Sequence, residues 1–190
     1  MYHTGTALTL LKGSRKACIR FLIPQKLLNV CNMSMQTIAT LKRISAEDLK
    51  TRLKSPTAST IAIVDVRDDD HIGGHIKGSI HSPSSSLDYR MPELVRKLAD
   101  KEVVVFHCAL SQQRGPSAAL RYLREREQKT QQGELFVTDK APGQDFEQEG
   151  KKAEQEVYVL DRGFVGWGKL YGRDETVTEG YAADIWEEYD

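Results

Sequence analysis

The sequence predicts an α/β fold, in which helices cover both faces of a mostly parallel central sheet. Short apolar runs rich in β-branched residues alternate with longer segments of helical periodicity along the 190-residue chain, which is the pattern of strand–helix–strand units. Polar and reactive side chains follow directly after two of these runs, where parallel sheets place their binding sites. The length and the 39% hydrophobic content fit one domain with extensions.

The first predicted element is a helix that begins at Ser45, a capping residue followed closely by two acidic residues. Leu49 and Leu53 share one face of this helix, and Pro56 ends it. The apolar run at 61–64 then predicts a buried strand.

A second helix is expected over residues 91–99, where apolar side chains recur at helical spacing. The run 103–106 is β-branched and aromatic, which indicates a strand buried on both faces. Gly115 and Pro116 open the next helix, because proline fits the first helical turn. A last strand is expected over 157–160.

Residues 127–156 interrupt this alternation, since they are rich in Glu, Gln, Lys and Gly. We interpret them as a largely disordered surface insertion, with a small hairpin at the apolar triplet 135–137 as an alternative. The domain itself is expected over 40–175, and residues 176–190 are expected to form a C-terminal tail.

Charge is distributed unevenly, although the formal net charge is zero. Residues 1–46 contain seven Lys or Arg and no acidic residue, whereas 47–190 contain twenty basic and twenty-seven acidic residues. The acidic domain argues against nucleic-acid binding. The apolar stretches are too short and interrupted for a membrane span, and three cysteines without a disulfide framework indicate a reducing, intracellular setting.

Residues 1–35 are interpreted as a basic extension that is disordered or a presequence. In one reading the protein starts at Met33 or Met35 and is cytoplasmic and nuclear. In the other, residues 1–32 direct import into mitochondria.

The most informative segment is the loop that follows the strand at 103–106. Cys108 leaves the strand end, and Arg114 follows six residues later at a helix start. The backbone amides between them can turn inward as an anion-binding nest, and the helix N-terminus adds positive potential. Such a site favours a nucleophilic thiolate and then a tetrahedral oxyanion. The alternative is an inert core cysteine.

Two further side chains in this segment have predicted roles. Arg114 can donate a bidentate fork to two oxygens of a phosphate-like group. The hydroxyl of Ser111 could bond the sulfur, whereas His107 points to the other side of the strand from Cys108 and is expected to brace the loop.

Three motifs carry a resemblance to a known family. Residues 63–83 contain Asp-Val-Arg and then Gly-Gly-His-Ile-Lys-Gly, residues 107–116 contain His-Cys-x5-Arg-Gly-Pro, and residues 159–167 contain Gly-Phe-Val-Gly-Trp. In this order they resemble the rhodanese-like domains, in particular the branch of the cell-division-cycle dual-specificity phosphatases. The long Cys-x5-Arg loop is similar to small fungal and plant phosphatases and arsenate reductases of that branch.

The resemblance implies a rhodanese-like three-layer fold, Cys108 as nucleophile and Arg114 as phosphate clamp. It also implies that a run of loop residues binds the phosphate group. These are Ala109, Leu110, Ser111, Gln112, Gln113, Arg114 and Gly115.

The sequence also departs from the family pattern. Ala109 and Gln113 stand where the cell-cycle enzymes carry glutamates, so no loop residue can act as a general acid. Val66 stands at the position of their backup cysteine, so no protective disulfide is expected. Because no cysteine follows Cys108, the zinc site of the plant members is not expected, and no metal or other cofactor is predicted.

Support of the loop is assigned to Asp65, Arg67, His75 and His107. Asp65 and Arg67 are expected to pair and tie the strand end to the loop, and His75 to pin the turn after Gly73 and Gly74. The triplet 68–70 is interpreted as solvated turn carboxylates rather than metal ligands.

These observations predict a cysteine-dependent phosphomonoesterase that acts on a phosphorylated protein or a small phosphate ester. Arsenate reduction with glutathione and glutaredoxin is the alternative, because arsenate shares the shape and charge of phosphate. Sulfur transfer and a non-catalytic phosphate-binding module are disfavoured by the loop length and by the cysteine–arginine pair. A monomer that binds oxyanions such as phosphate or arsenate is expected.

Overall fold

The computed structural model describes residues 36–133 and 155–186. The helices are α1 (Ala46–Leu53), α2 (Leu87–Lys97), α3 (Arg114–Gln131), α4 (Gly163–Tyr171) and α5 (Ala183–Trp186). The strands are β1 (Lys42–Ile44), β2 (Ile61–Asp65), β3 (His75–Ile76), β4 (Ile80–His81), β5 (Val103–His107), β6 (Glu156–Leu160) and β7 (Thr178–Glu179). Short 3-10 helices lie at Ile38–Thr40, Pro56–Thr60 and Ser84–Ser86.

The central sheet is parallel and has the strand order β1-β6-β5-β2-β4. The central strand β5 pairs with β2 in a register that sets Asp65 beside His107. Both of these residues end their strands, so the sheet brings two predicted site residues to one carboxyl edge. The mostly parallel sheet confirms the predicted fold class.

Helices cover both faces of the sheet because successive strand residues point to opposite sides. Val64, Val104 and Phe106 belong to a buried cluster that includes side chains of α2 and α3. Ile63 and Val105 belong to a second cluster, which includes side chains of α1 and α4. The sheet therefore lies between two helical layers.

Helix α2 begins four residues before the predicted start at residue 91. The 3-10 helix Ser84–Ser86 leads directly into it, and Leu87 and Met91 extend its buried face. The serine-rich run carries no helical periodicity, so the sequence indicated only the later turns.

Helix α3 continues to Gln131, so the predicted insertion does not begin at residue 127. The added turn consists of Glu, Gln, Lys and Thr, most of which favour a solvated helix even where the apolar pattern has ended. The structure describes the chain again from Gln155, and β6 begins at Glu156. The disorder and the hairpin predicted between these points, like the basic extension 1–35, lie outside the described residues.

The segment predicted as a tail belongs to the domain as far as Trp186. Strand β7 pairs antiparallel with β3, and the buried Trp186 donates from Nε1 to the Gly73 carbonyl at 2.7 Å. A two-residue strand and a four-residue helix are too short to show a periodic pattern, which is why the sequence did not indicate them.

Within the described parts of the chain, no helix combines the length and the apolar character that crossing a membrane requires.

Candidate active site

Cys108 is the first residue after β5 and lies at the base of the loop between that strand and α3. Its side chain is buried and free of disulfide bonds. The backbone N–H of Ser111 donates to the sulfur at 3.2 Å. An N–H donor stabilises a thiolate more than a neutral thiol, so the loop is built to hold negative charge at the sulfur.

The loop conformation depends on Ser111, which adopts a left-handed backbone with φ of 52°. This conformation is uncommon outside glycine and persists where the surroundings impose it. It redirects the chain just after the amide that contacts the sulfur. The predicted hydroxyl–sulfur bond is absent, because the buried Ser111 Oγ has no hydrogen-bond partner among the described residues.

Further amides of the loop are available for an anion. Among the described residues, nothing accepts a hydrogen bond from the backbone N–H of Ala109, Leu110, Gln112 or Gln113. The loop ends at the first turn of the 18-residue helix α3, whose N-terminus adds favourable potential. The loop can therefore receive an oxyanion through its backbone.

Helix α4 anchors the loop from the opposite side. Phe164 and Val165 donate their backbone N–H groups to the carbonyls of Cys108 and Ala109, both at 2.9 Å. Gly163 precedes them with φ of +59°, and a Cβ there would lie 2.4 Å from both carbonyl oxygens. The Gly-Phe pair of the sequence motif is thus a requirement of the close approach between α4 and the loop.

Arg114 is held by two carboxylates of the loop after β2. Its Nη1 and Nη2 donate to Asp70 at 2.7 and 2.5 Å, and Nη1 also donates to Asp68 at 3.1 Å. The bond from Arg114 is the largest influence that holds the pKa of Asp70 below its usual range. Burial opposes ionisation of Asp68, but bonds from Ser84 and Ser85 outweigh it and keep its pKa low.

These carboxylates are the part of the site that the sequence analysis missed. Asp68 and Asp70 were interpreted as solvated turn residues, yet they contact an arginine more than forty residues away in the chain. In the sequence, the only signal for a contact with Arg114 was that Asp68 and Asp70 directly follow Asp65 and Arg67 at the end of a predicted strand.

Asp65 and Arg67 form a fully buried ion pair beneath the loop. Arg67 donates from Nε and Nη2 to the Asp65 carboxylate at 2.6–3.1 Å, and from Nη1 and Nη2 to the carbonyls of Ile72 and Gly74. Its guanidinium lies over the Phe164 ring, 4.3 Å from the centroid. The pair therefore fixes α4 and the loop between β2 and β3, residues 66–74, relative to the end of β2; this loop carries Asp68 and Asp70 and is called the acidic loop.

His107 lies on the other side of β5 from Cys108 and packs towards Phe164. Burial lowers the pKa of His107, so the imidazole is neutral at neutral pH. Its Nε2 is 3.8 Å from Asp65 and makes no hydrogen bond with a described residue. Burial opposes ionisation of Asp65 as well, but the bonds and charge of Arg67 outweigh it and hold the pKa of Asp65 below its usual range, since the neutral His107 carries no charge. Arg67 is the partner that matters, because it is always charged.

The remaining histidines lie farther along the same edge. His75 bonds Glu179 of β7 at 3.1 Å, so this contact joins the two small strands β3 and β7 and does not reach the cysteine loop. His71 was assigned no role in the loop, yet its Nε2 lies 3.4 Å from Asp65 and its ring stacks on His81. Burial lowers the pKa of His71.

No group of three His, Cys, Asp or Glu among the described residues has the arrangement of a metal site.

A groove of about 630 Å³ adjoins Arg114 between α2, α3 and the 3-10 helix at Ile38–Thr40. Three arginines of α3 face it, of which Arg121 also pairs with Asp88. Its apolar and basic lining residues include Ile38, Leu87, Arg114, Ala118, Arg121 and Arg124. The groove meets the cysteine loop at Gln113 and Arg114, so there is open space beside the end of that loop.

The fold and the cysteine loop define a known class. The rhodanese-like domain model matches residues 45–170, and the chain belongs to this family. It is 34% identical over 169 residues to the CDC25-like phosphatase YCH1 of Saccharomyces cerevisiae, covering 83% of this chain and 97% of that protein. It is 39% identical over 131 residues to arsenate reductase 2.2 of Oryza sativa subsp. japonica, covering 68% and 83% of the two proteins.

A solved structure supports the same placement. A yeast protein tyrosine phosphatase of the rhodanese family superposes with a TM-score of 0.58 at 31% identity, covering 77% of this chain and 96% of that one. These relatives are named as phosphatases and as an arsenate reductase, so the comparisons indicate that this chain is an enzyme.

Proposed function

We propose that this chain is a cysteine-dependent phosphomonoesterase of the protein-tyrosine or dual-specificity type. One observation carries the proposal. A buried cysteine accepts an amide hydrogen bond at the base of a loop, the next amides of that loop meet no acceptor in the part of the chain that the structure describes, and an arginine stands at the end of the loop. This set of groups serves a thiolate nucleophile and a tetrahedral anion.

The reaction proceeds in two steps. The Cys108 thiolate attacks phosphorus, forming an S–P bond while the P–O bond to the leaving group breaks. Water then attacks the cysteinyl-phosphate and releases inorganic phosphate with the thiolate restored. Loop amides and the guanidinium of Arg114 stabilise the charge that develops on the equatorial oxygens.

The leaving oxygen needs a proton, and the loop carries no acid. Asp68 and Asp70 are unsuited, because both are held ionised by their hydrogen bonds. We propose that the substrate monoanion brings this proton itself. Activity should then decline as the phosphate ester becomes a dianion at higher pH.

Arsenate reduction is a second candidate, and the rice relative named arsenate reductase 2.2 favours it. Arsenate would enter the same loop, and Cys108 would attack arsenic in place of phosphorus. Reduction to arsenite also requires two electrons, which glutathione with a glutaredoxin would supply. The groove beside Arg114 favours the esterase, because an ester needs space for its leaving group and arsenate does not.

Two parallel assays test the proposal. The full chain should hydrolyse p-nitrophenyl phosphate, and Cys108→Ser should abolish turnover while the fold is kept, because a serine hydroxyl is not ionised at neutral pH. Equal rates for the variant and the parent would remove Cys108 from the mechanism. Arsenate turnover with glutathione and glutaredoxin, without phosphatase activity, would establish the second candidate instead.

A further inference from the structure

Asp70 makes the closest polar contacts of Arg114, and these contacts are of a particular kind. Both oxygens of the carboxylate accept from the two terminal nitrogens of the guanidinium, at 2.7 and 2.5 Å. Such a parallel pair of charge-assisted bonds fixes the plane of the arginine as well as its position. The two residues are 44 positions apart in the chain, so tertiary structure alone creates this contact.

Counting the donors of Arg114 shows what remains for a substrate. A guanidinium has five N–H groups. Two donate to Asp70 and one donates to Asp68. The two that remain are Nε–H and the second N–H of Nη2, for which no described residue is an acceptor. They lie on the same edge of the planar group and form one bidentate fork.

We propose that Asp70 is a positioning residue for Arg114. Together with Asp68 it occupies two edges of the guanidinium and leaves the Nε–Nη2 edge as the fork for two oxygens of the bound oxyanion. This inference rests on the proposed function, because it names how the arginine of that site is oriented.

The acidic loop is itself fixed, which positioning requires. The backbone N–H of Asp68 donates to Asp70 Oδ1 at 2.9 Å. Ser84 donates to Asp68 Oδ2 at 2.5 Å, and Ser85 donates its N–H to Oδ1. The end of the same loop is held by the buried Arg67 through the carbonyls of Ile72 and Gly74.

A fixed arginine has an energetic consequence for binding. A free arginine side chain loses rotamer entropy when it is immobilised. Since Asp70 already holds Arg114, part of that cost falls on folding and not on substrate binding. The neutral Gln113 and Ala109 of the cysteine loop cannot supply this anchor, so the carboxylate comes from the neighbouring loop.

The test compares three variants of the full chain. Asp70→Asn keeps the shape but loses the charge, and it should lower kcat/KM for p-nitrophenyl phosphate at least tenfold and weaken competitive inhibition by inorganic phosphate at least threefold. Asp70→Glu keeps the charge and should recover part of both losses. Asp69→Asn is the matched control, because Asp69 is exposed and bonds to nothing among the described residues; its constants should stay within twofold of the parent.

A double-mutant cycle separates positioning from a merely structural role. If Asp70 acts through Arg114, then Asp70→Asn should change kcat/KM by less than threefold when Arg114→Lys is already present. A structural role would instead give additive losses of kcat/KM in the cycle. The melting temperature would then fall by the same amount whether Asp70→Asn is made in the parent or in Arg114→Lys. Should Asp70→Asn fail to fold, the Asp70→Glu and Asp68→Asn variants carry the same comparison.

Two results would overturn the inference while leaving the proposed function intact. One is an unchanged kcat/KM in Asp70→Asn. The other is tighter phosphate inhibition in Asp70→Asn, which would show that the carboxylate competes with the oxyanion for Arg114. A parent chain that neither hydrolyses the ester nor binds phosphate would remove the proposed function itself, and the inference with it.

Discussion

Two buried charged residues, Asp65 and Arg67, connect the end of β2 to the rest of the site. Neither side chain is exposed, and Arg67 satisfies its donors with one carboxylate and two backbone carbonyls. Because the pKa of Asp65 is depressed in the folded state, its stabilising contribution is present above the ordinary value near 3.8 and is lost as the pH falls through the lower folded value. The support of the loop therefore persists throughout the neutral range.

Arg114→Lys is expected to be severe, although it retains the positive charge. An ammonium group cannot form the fork to Asp70 and to two substrate oxygens at the same time. We expect the variant to lose at least about 2 kcal/mol of transition-state stabilisation, which is the scale of removing one oriented donor. This loss would be measured as a lower kcat/KM for p-nitrophenyl phosphate. Arg96→Lys, at an exposed position on α2, is the control. A loss smaller than about tenfold, or 1.4 kcal/mol, would show that Arg114 is not the clamp.

Among the elements, α4 matters because its first turn lies against the cysteine loop. Its N-terminal amides satisfy the carbonyls of Cys108 and Ala109, which fixes the backbone beside the nucleophile. The approach is possible only because Gly163 has no side chain and a left-handed conformation. The position of α4 therefore determines the geometry of a loop more than fifty residues earlier in the chain.

Gly163→Ala should impair both stability and activity. A left-handed alanine costs about 1–2 kcal/mol, and its Cβ would also lie 2.4 Å from two carbonyl oxygens. Gly78→Ala is the matched control, since Gly78 has φ of +73° and open space around its Cβ position. Chemical denaturation and p-nitrophenyl phosphate turnover would measure both variants. Equal effects at the two positions would mean that the close approach at Gly163 contributes nothing beyond backbone strain.

On the scale of the whole molecule, the C-terminal segment closes the domain over the loop that follows β2. Trp186 contacts Gly73 through its Nε1 donor, packs against Phe164 with ring centroids 5.2 Å apart, and lies beside the guanidinium of Arg67. Residues far apart in the chain thus meet at the carboxyl edge of the sheet. This arrangement makes the stability of the site dependent on Trp186.

Trp186→Ala should destabilise the domain by about 3 kcal/mol, the lower end for removing a buried tryptophan. Trp186→Phe keeps the ring contacts and removes the Nε1 donor, while the Gly73 carbonyl still accepts from the Ala182 N–H at 3.3 Å, so a cost of about 1 kcal/mol, that of one hydrogen bond, is expected. Asp184→Ala, at an exposed position of the same short helix, should change little. Denaturant midpoints would measure all three. A neutral Trp186→Ala would return residues 176–186 to the role of a tail.

Much of the fold could be predicted because its main strands and helices each carry a periodic pattern. The runs at 61–64, 103–106 and 157–160 correspond to β2, β5 and β6, and the helix after the cysteine loop begins beside Gly115 and Pro116. Boundaries were less predictable, since α2 begins in a serine-rich segment and α3 ends in a polar one. Hydrophobic periodicity is silent in both places.

The sequence by itself determined the order of strands and helices and the spacing of Cys108 and Arg114, because local periodicity and a fixed six-residue separation are properties of the chain alone. Only the tertiary structure decided which groups surround them. Asp70 meets Arg114, Gly163 meets the Cys108 carbonyl, and Trp186 covers Gly73. Each of these contacts joins segments from different strand–helix units, and their partners are chosen by sheet order and packing rather than by any pattern within one segment.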